Sequence, residues 1–526
     1  MRPDFKYSPL LETEAKAFLY QIGSDEYYIR GIFINPNGKT VPITKQSLME
    51  IRIKDSIYDP FTDLSICLMD TDDAFQRTVQ GEGGNKIEGF TYRGDGKDLF
   101  YLEINPIRDT KDVNNINSES NISYNNVFSL RNLYACVDEK TVVIDGYRCK
   151  EITCIDSDKK KLLEKKTQTN STYVINQEDN EETSPTFYRD NSERSAPTGK
   201  IIRKILTDTL GRKDEDIFHN KVLTVKGEDK SVIMNFENGA SNVFYTSNAD
   251  MNAFDDLNYL YEIHVSDGDE NAFSYLKKDY YGGKYTLLSI DEIYKKAVRS
   301  GSAGPYMIEN LVITGATSVS EDKQDSTPVT PVGTASFNNK SIIVDCKFYN
   351  PSFELLRDQA TTKVVHSYDH ENKTFNMFKN ESNMSGIKQK FKTIFVDPLG
   401  ENYEPSILLS PDLDSNTNYE NVYSLYGNDI ITAKAFGQNK LLKNLLATNL
   451  SVELTCFGQM FRKSGRFISI DRGNNYKGNN FDNKFTGIYY ILNVEHNFIG
   501  NNEYFNKIYA VKTYFNKKID NVEGLN

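Results

Sequence analysis

Residues 47–70 read SLMEIRIKDSIYDPFTDLSICLMD, and this stretch decides the fold. Met49, Ile51 and Ile53 alternate with Glu50, Arg52 and Lys54. A polar interruption, Asp55–Pro60, follows, and Leu64, Ile66 and Leu68 alternate again before Asp70. Successive strand residues face opposite sides, so period-two alternation predicts strands with one face on a core and one in water. A second block of this kind lies near the other end, as Val452–Phe457, Phe467–Ile470, Ile488–Val494 and Lys507–Tyr514. Neither block carries catalytic machinery, and both point to an assembly part.

Working outward, Tyr27–Ile34 reads as a strand, the turn Asn35-Pro-Asn-Gly38 follows, and Lys39–Ile43 is expected to return as its hairpin partner. Further strands are expected at Gly89–Tyr92, Asp98–Ile104 and within Val127–Cys154. Residues 1–155 therefore form the first expected domain, rich in β-structure. Asp156–Thr198 is charged and aperiodic, and a structureless loop that long is uncommon inside one domain, so a junction is placed there. Ile201, Ile202, Ile205, Leu206 and Leu210 then share one helical face, with Gly211 beyond its end. Helices are also expected at Ala253–His264 and at Ile290–Ser300. The latter is opened by the capping box Ser289-x-x-Glu292, in which each side chain satisfies the other's free backbone N–H. With strands at Ser231–Met234 and Lys284–Leu288, residues 156–338 read as an α+β insert. It ends in the polar linker Ser318–Asn338. Residues 339–526 form the second β domain, with strands at Ser341–Phe348 and Thr362–Val365 and a helix at Asp429–Ala447 before the final block. The fold class is thus mixed β and α+β: two β-barrel or sandwich domains with an inserted α+β domain.

Composition narrows the function classes. At 526 residues the chain has room for several domains of roughly 100–200 residues each. Thirty-three Tyr and 30 Phe supply core and interface surface, which argues against global disorder. The formal net charge of −12 is the opposite of what wrapping nucleic acid requires. Six scattered cysteines without a CxxC predict free thiols made in a reducing cytoplasm. No apolar h-region opens the chain and no run of 18 apolar residues occurs, so neither a signal peptide nor a membrane span is expected.

The candidate chemical motifs are weak on their own terms. His366-x-x-x-His370 has metal-compatible spacing only on a helix, and it sits beside a strand. His496 falls in the last hairpin, where a sheet histidine is expected. Asp267–Asn271 lacks the register of a calcium loop, Gly81–Gly84 lacks the Lys-Ser/Thr of a phosphate loop, and Cys149 and Cys154 read as core thiols. No catalytic residue, cofactor or metal is expected. The Ser56, Ile57, Tyr58, Asp59 and Pro60 corner, a polar-aromatic loop between two strands, is expected to project from the sheet and to touch a neighbouring subunit.

Ile51–Tyr58 leading to Leu64–Asp70 resembles the opening of the central baseplate hub protein of T-even-type contractile phages. Gly487–Phe498, a polar turn at Ile499–Glu503 and the return at Tyr504–Tyr514 are similar to that family's last hairpin. The match covers both ends of the chain, and the middle only by order of elements. This chain looks longer than the family pattern through 156–198, 318–338 and 471–485. The resemblance implies two tail-tube-like barrels per subunit and a homotrimer presenting six barrels in a ring. Its implied partners are the central spike, the tail tube protein and neighbouring baseplate proteins. DNA would pass through without specific binding, which suits an acidic chain. The implied location is the tail baseplate of a virion assembled in the bacterial cytoplasm. The rival readings are a receptor-binding or other peripheral tail protein, which should carry fibrous repeats or a carbohydrate groove lined with exposed aromatics, and a tail-borne cell-wall hydrolase.

Overall fold

Ile51, Ile53, Leu64, Ile66 and Leu68 are all 0–1% exposed, while Lys54 between them faces water, so the alternation of the opening block is realised as a half-buried hairpin. The structure is a computed structural model. It describes residues 18–22, 25–36, 40–69, 79–80, 86–87, 96–107, 129–144, 146–165, 196–225, 228–239, 242–243, 251–266, 274–300, 306–313, 341–349, 363–369, 374–379, 407–409, 450–472, 485–500 and 503–513.

The first part comprises β1 (Phe18–Ile22), β2 (Asp25–Ile34), β3 (Thr40–Pro42), β4 (Leu48–Ser56), β5 (Thr62–Met69), β6 (Val79–Gln80), β7 (Lys86–Ile87), β8 (Leu99–Ile107), β9 (Leu130–Ile144) and β10 (Tyr147–Asp156). The middle follows as α1 (Ser157–Glu164), β11 (Ala196–Pro197), α2 (Thr198–Leu210), α3 (Asp214–Ile217), β12 (His219–Val225), β13 (Glu228–Met234), β14 (Asn242–Val243), α4 (Ala253–Glu262), β15 (Ser274–Lys278), β16 (Tyr285–Ser289) and α5 (Ile290–Ser300). The last part holds β17 (Glu309–Ile313), β18 (Ile342–Tyr349), β19 (Lys363–Asp369), β20 (Thr374–Lys379), β21 (Ile407–Leu409), β22 (Ser451–Phe457), β23 (Phe467–Arg472), β24 (Gly487–Ile499) and β25 (Glu503–Lys512).

One 14-stranded sheet runs through both ends of the chain. Its C-terminal part closes on itself as a six-stranded barrel, β24-β23-β17-β18-β22-β25, with β25 back against β24. Its N-terminal part, β2-β8-β9-β10-β5-β4, follows the same winding. In each half the strands stand in the order first, fourth, fifth, sixth, third, second along the chain. The registers agree as well. Leu99 opposite Ala135 and Phe467 opposite Tyr490 each pair the first residue of the fourth strand with the fifth. A bulge at Met49 of β4 is matched by one at Val344 of β18, and a bulge at Val137 of β9 by one at Leu492 of β24. The halves differ at their first strand, since β2 runs antiparallel to β8 whereas β17 runs parallel to β23.

The first half departs from the barrel expected of it: among the described residues it is an open sheet. The outer edge of β4 is taken, because Glu50–Ser56 pair with Ile499–Asn493 of β24. Residues 45–47 turn the chain into β4, with the N–H groups of Ser47 and Leu48 both donating to the Thr44 carbonyl. Glu309–Ile313, inside the stretch expected to form the insert, is a barrel strand parallel to both β18 and β23. The polar stretch after residue 155 opens with α1, whose cap is Asp156, its carboxylate accepting from the Asp158 N–H.

The three helices expected in the insert are present as α2, α4 and α5, while α1 and α3 were not expected. The predicted apolar face of α2 is fully buried, and Gly211 ends the helix at φ 56°, a left-handed position that costs glycine nothing. Glu292 N–H donates to Ser289 Oγ at 3.2 Å at the start of α5, and Asn252 caps α4 in a full capping box. The insert's core is continuous with both sheets: Ile57 and Phe61 of the first and Phe467, Tyr490 and Leu492 of the barrel pack with α2, α4 and α5. The expected strand at Gly89–Tyr92, the linker 318–338 and the helix at 429–447 lie outside the described residues.

Candidate functional site

The place where first sheet, insert and barrel meet is the seam between β4 and β24. Its apolar side is made by alternation: Ile51 and Ile53 of β4 lie opposite Phe498 and His496 of β24. Tyr504 stacks on Phe498 with ring centroids 3.9 Å apart, and Tyr27 of β2 meets both edge-on at 5.3 and 6.0 Å. Such pairs add about 0.5–1.5 kcal/mol each beyond the area they bury.

A buried polar chain runs beside this cluster. Asp55 ends the alternation of β4 and is 2% exposed. Its Oδ2 accepts from Tyr280 Oη at 2.6 Å and from the Ser464 N–H at 2.9 Å, and its Oδ1 from Ser464 Oγ at 2.8 Å. Lys277 of β15 closes the set with an ion pair to Asp55 and donates to the Ser56 and Asp59 carbonyls, both at 3.0 Å. Burial alone would raise the Asp55 carboxyl. The Lys277 charge, together with hydrogen bonds from Lys277, Tyr280 and Ser464, overrides burial and holds it at about 2.

His496 is the next link. Asn506 Oδ1 accepts from the Gln459 N–H at 2.7 Å, which turns the Asn506 amide nitrogen toward His496 Nδ1 at 2.8 Å. Nδ1 therefore accepts, which places the ring proton on Nε2, 3.3 Å from Tyr280 Oη, whose own proton points to Asp55. Burial drives the imidazole down to about 3, with Lys463 and Arg462 adding to it and Asp55 opposing, so the ring is neutral. Arg462, 1% exposed, forks onto Glu309 of β17 with both bonds at 2.6 Å and reaches Asn506 Oδ1 at 3.0 Å. That bidentate pair ties the parallel strand of the barrel to the loop before β23.

Neighbouring residues on a strand point to opposite faces, and β15 uses this to serve two partners. Lys277 goes to Asp55, and Lys278 goes the other way, 2.8 Å from both Asp156 oxygens and 3.0 Å from Asp158. Asp158 also pairs with Arg212. Burial opposes its charge, but Lys278, Arg212 and Lys161 hold its carboxyl below the usual range. A buried pair is poor evidence of net stability, because desolvating two charges offsets most of their attraction. Breaking one by removing a single partner costs about 3–5 kcal/mol. These ties therefore fix how the parts sit more than they drive folding.

The expected corner lies on this site, but turned inward. Ile57 and Pro60 are buried, the Ile57 N–H donates to the Leu492 carbonyl at 2.9 Å, and the Ile57 carbonyl accepts from Tyr261 Oη at 3.0 Å. Asp59 pairs with Lys159, and the Pro60 carbonyl accepts from the Lys278 N–H at 3.0 Å. Ser56 is part-buried, and Tyr58 alone stands out, 52% exposed. The loop does not project because the insert closes over it.

Sequence reasoning missed Lys277, Lys278 and the whole of β15. All five of its residues are buried, so it shows no alternation, and Lys-Lys reads as solvated. The available signal was the Gly282-Gly283 pair, at φ 83° and 63°, which turns β15 into β16. The strand expected to end at Val365 runs on through His366 as β19, and His370 is outside the described residues. Cys136 and Cys154 lie side by side across β9 and β10, sulfur to sulfur 3.5 Å, and all six cysteines are free. Among the described residues no cluster of three or more His, Cys, Asp or Glu could hold a metal, and no helix is long and apolar enough to cross a membrane.

No family model and no curated protein matches the sequence. Solved structures of tail proteins do resemble it. The tail protein from Neisseria meningitidis MC58 is 7% identical over 92% of this chain and 96% of that one, with a TM-score of 0.42. The 43 kDa tail protein of prophage MuSo2 from Shewanella oneidensis is 9% identical over 92% and 98%, with a TM-score of 0.41. An Escherichia coli component of the type VI secretion system, described as similar to bacteriophage T4 tail proteins, is 7% identical over 89% and 75%, with a TM-score of 0.33. At these TM-scores the likeness is distant.

Proposed function

We propose that this chain is the structural hub of a contractile-tail baseplate, a homotrimeric adaptor that joins a three-fold central spike to a six-fold tail tube. The observation that carries the reading is the repeated winding of the two half-sheets, joined side by side through β4 and β24. A chain with two like units converts three-fold symmetry to pseudo-six-fold symmetry at one ring, because three copies present six similar walls. The buried ties at the seam support the same reading, since an adaptor has to hold its two walls at a fixed angle under load.

Spike and tube are the partners this role requires, with neighbouring baseplate proteins around the rim and Tyr58 as a residue free to meet one of them. A net charge of −12 suits a wall past which DNA slides without binding. The role is mechanical and asks no catalysis of the chain. Light scattering on the purified protein is expected to give the mass of three 60.1 kDa chains, and averaged electron images a ring with six similar lobes. A strict monomer at high concentration, or a three-lobed particle without the six-fold pattern, would overturn the proposal.

A further inference from the structure

We propose that two open sheet edges bind each other between copies: Asp345–Tyr349 of β18 in one copy adds antiparallel to Asp138–Ile144 of β9 in the next, each of these segments being laddered on one side only among the described residues. The inference rests on the trimeric hub reading and supplies the joint that reading needs.

The chain contains its own template for this joint. β24 first pairs with β23 over Gly487–Tyr490, bulges at Leu492, and then runs on as Asn493–Ile499, where β4 covers it. β9 does the same up to the last step. It pairs with β8 over Leu130–Ala135, bulges at Val137 and runs on as Asp138–Ile144. There β10 holds one edge, and among the described residues no ladder covers the other. The complementary strand is β18. β4 bulges at Met49 and then gives its outer edge to β24, whereas β18 bulges at Val344 and then has none among the described residues. β17 reaches only Ile342 and Ile343 of it. One half of the molecule thus offers the socket, and the other the strand that fits it.

Both edges carry exposed apolar side chains. Large apolar side chains stand in water at the tip of β9 and β10, with Val143 72%, Ile144 36% and Tyr147 53% exposed. They do so again on β18, with Val344 52% and Tyr349 46% exposed. An open, apolar strand edge is a template for another chain, and proteins that must stay monomeric blunt such edges with bulges, charges or cover.

The internal seam also sets the register. Each β24 residue corresponds to the β9 residue at the same step from the bulge, and each β4 residue to one of β18 in the same way. Carried across, Lys140 lies opposite Tyr349, Thr141 opposite Phe348, Val142 opposite Lys347, Val143 opposite Cys346 and Ile144 opposite Asp345. Val143 and Cys346 take the place of Phe498 and Ile51, both fully buried in the seam. The lysines keep carboxylates of their own: Lys140 has Asp138 at 4.0 Å, and Lys347 lies opposite Glu453 on β22. Because the joint is head-to-tail, its rotation decides between a closed ring and an open filament, and the pseudo-six-fold reading needs closure at three copies.

One substitution tests the register, since Cys346 is already present and free. The Val143→Cys protein, oxidised with oxidised glutathione, is expected to form disulfides between copies and to run as two- and three-chain species on non-reducing gels. Reduction should abolish those bands, and so should adding Cys346→Ser. Val142→Cys, one residue along and on the other face, should link at least tenfold less. A protein that scatters as a trimer yet gives no Val143→Cys cross-link to Cys346 overturns this joint and leaves the hub reading standing. A strict monomer without cross-links overturns both.

Discussion

Replacing Asp55 by Asn keeps the shape of the seam and removes the charge that answers Lys277. Lys277 then stays in a site where its side chain is 7% exposed, beside the Ser56 and Asp59 carbonyls, with no carboxylate against it. The carboxyl's fall from its ordinary 3.8 to about 2 corresponds to roughly 2 kcal/mol of preference for the charged form. Orphaning Lys277 adds to this, so Asp55→Asn is expected to destabilise the fold by about 3–5 kcal/mol. The chain has no Trp, so urea unfolding is best followed by far-UV circular dichroism, with tyrosine emission as a second probe. The decisive comparison is with the double variant Asp55→Asn, Lys277→Met. If the cost comes from a stranded cation, removing that cation restores stability, and the double variant should be more stable than Asp55→Asn alone. Additive losses, or a single-variant cost below about 1 kcal/mol, would refute the account of the seam as a buried ionic tie.

Two further outcomes follow from the same site. Gly465 sits at φ 74°, and a Cβ there would lie 2.3 Å from the ring of the buried Tyr275, whose hydroxyl accepts from Arg466. Gly465→Ala is therefore expected to lower stability by more than about 1 kcal/mol, read as a drop in melting temperature, whereas Gly146→Ala, with open space around it, should cost only the strain of its φ. The neutral His496 makes stability fall in acid. Its folded value of about 3 lies below the ordinary 6.5, so between those limits the unfolded chain takes up a proton the folded one refuses. Asp55 adds a second loss, of opposite chemical origin, as pH falls from about 4 through 2. Denaturant titrations should show stability declining from pH 6.5 downward, and His496→Gln should flatten the part of that decline above pH 4. An unchanged slope in the variant would remove His496 as its cause.

Local order was readable where one face of an element meets water. Ile51, Ile53, Leu64, Ile66 and Leu68 announced β4 and β5 because their neighbours had to stay solvated. The 3.6-residue spacing of Ile201 to Leu210 announced α2 for the same reason, and Ser289 with Glu292 marked the start of α5. β15 left no such trace, since it is buried on both sides, and the Ser56–Pro60 corner looked like a projecting tip because nothing local says that the insert covers it.

By itself, then, the sequence determined those strands and helices that keep one face in water, such as β4, β5 and α2, and the strand-rich character of both ends. Only the tertiary structure decided that β24 rather than β2 takes the outer edge of β4, that the second half closes while the first is open among the described residues, and that consecutive lysines serve opposite carboxylates. The physical reason is that alternation records which face of a segment is dry, a local property. A strand's partner is chosen through backbone hydrogen bonds that every residue but proline offers alike. A charge can be buried only when its counter-charge arrives from elsewhere in the chain, as Lys277 does for Asp55 from 222 positions away.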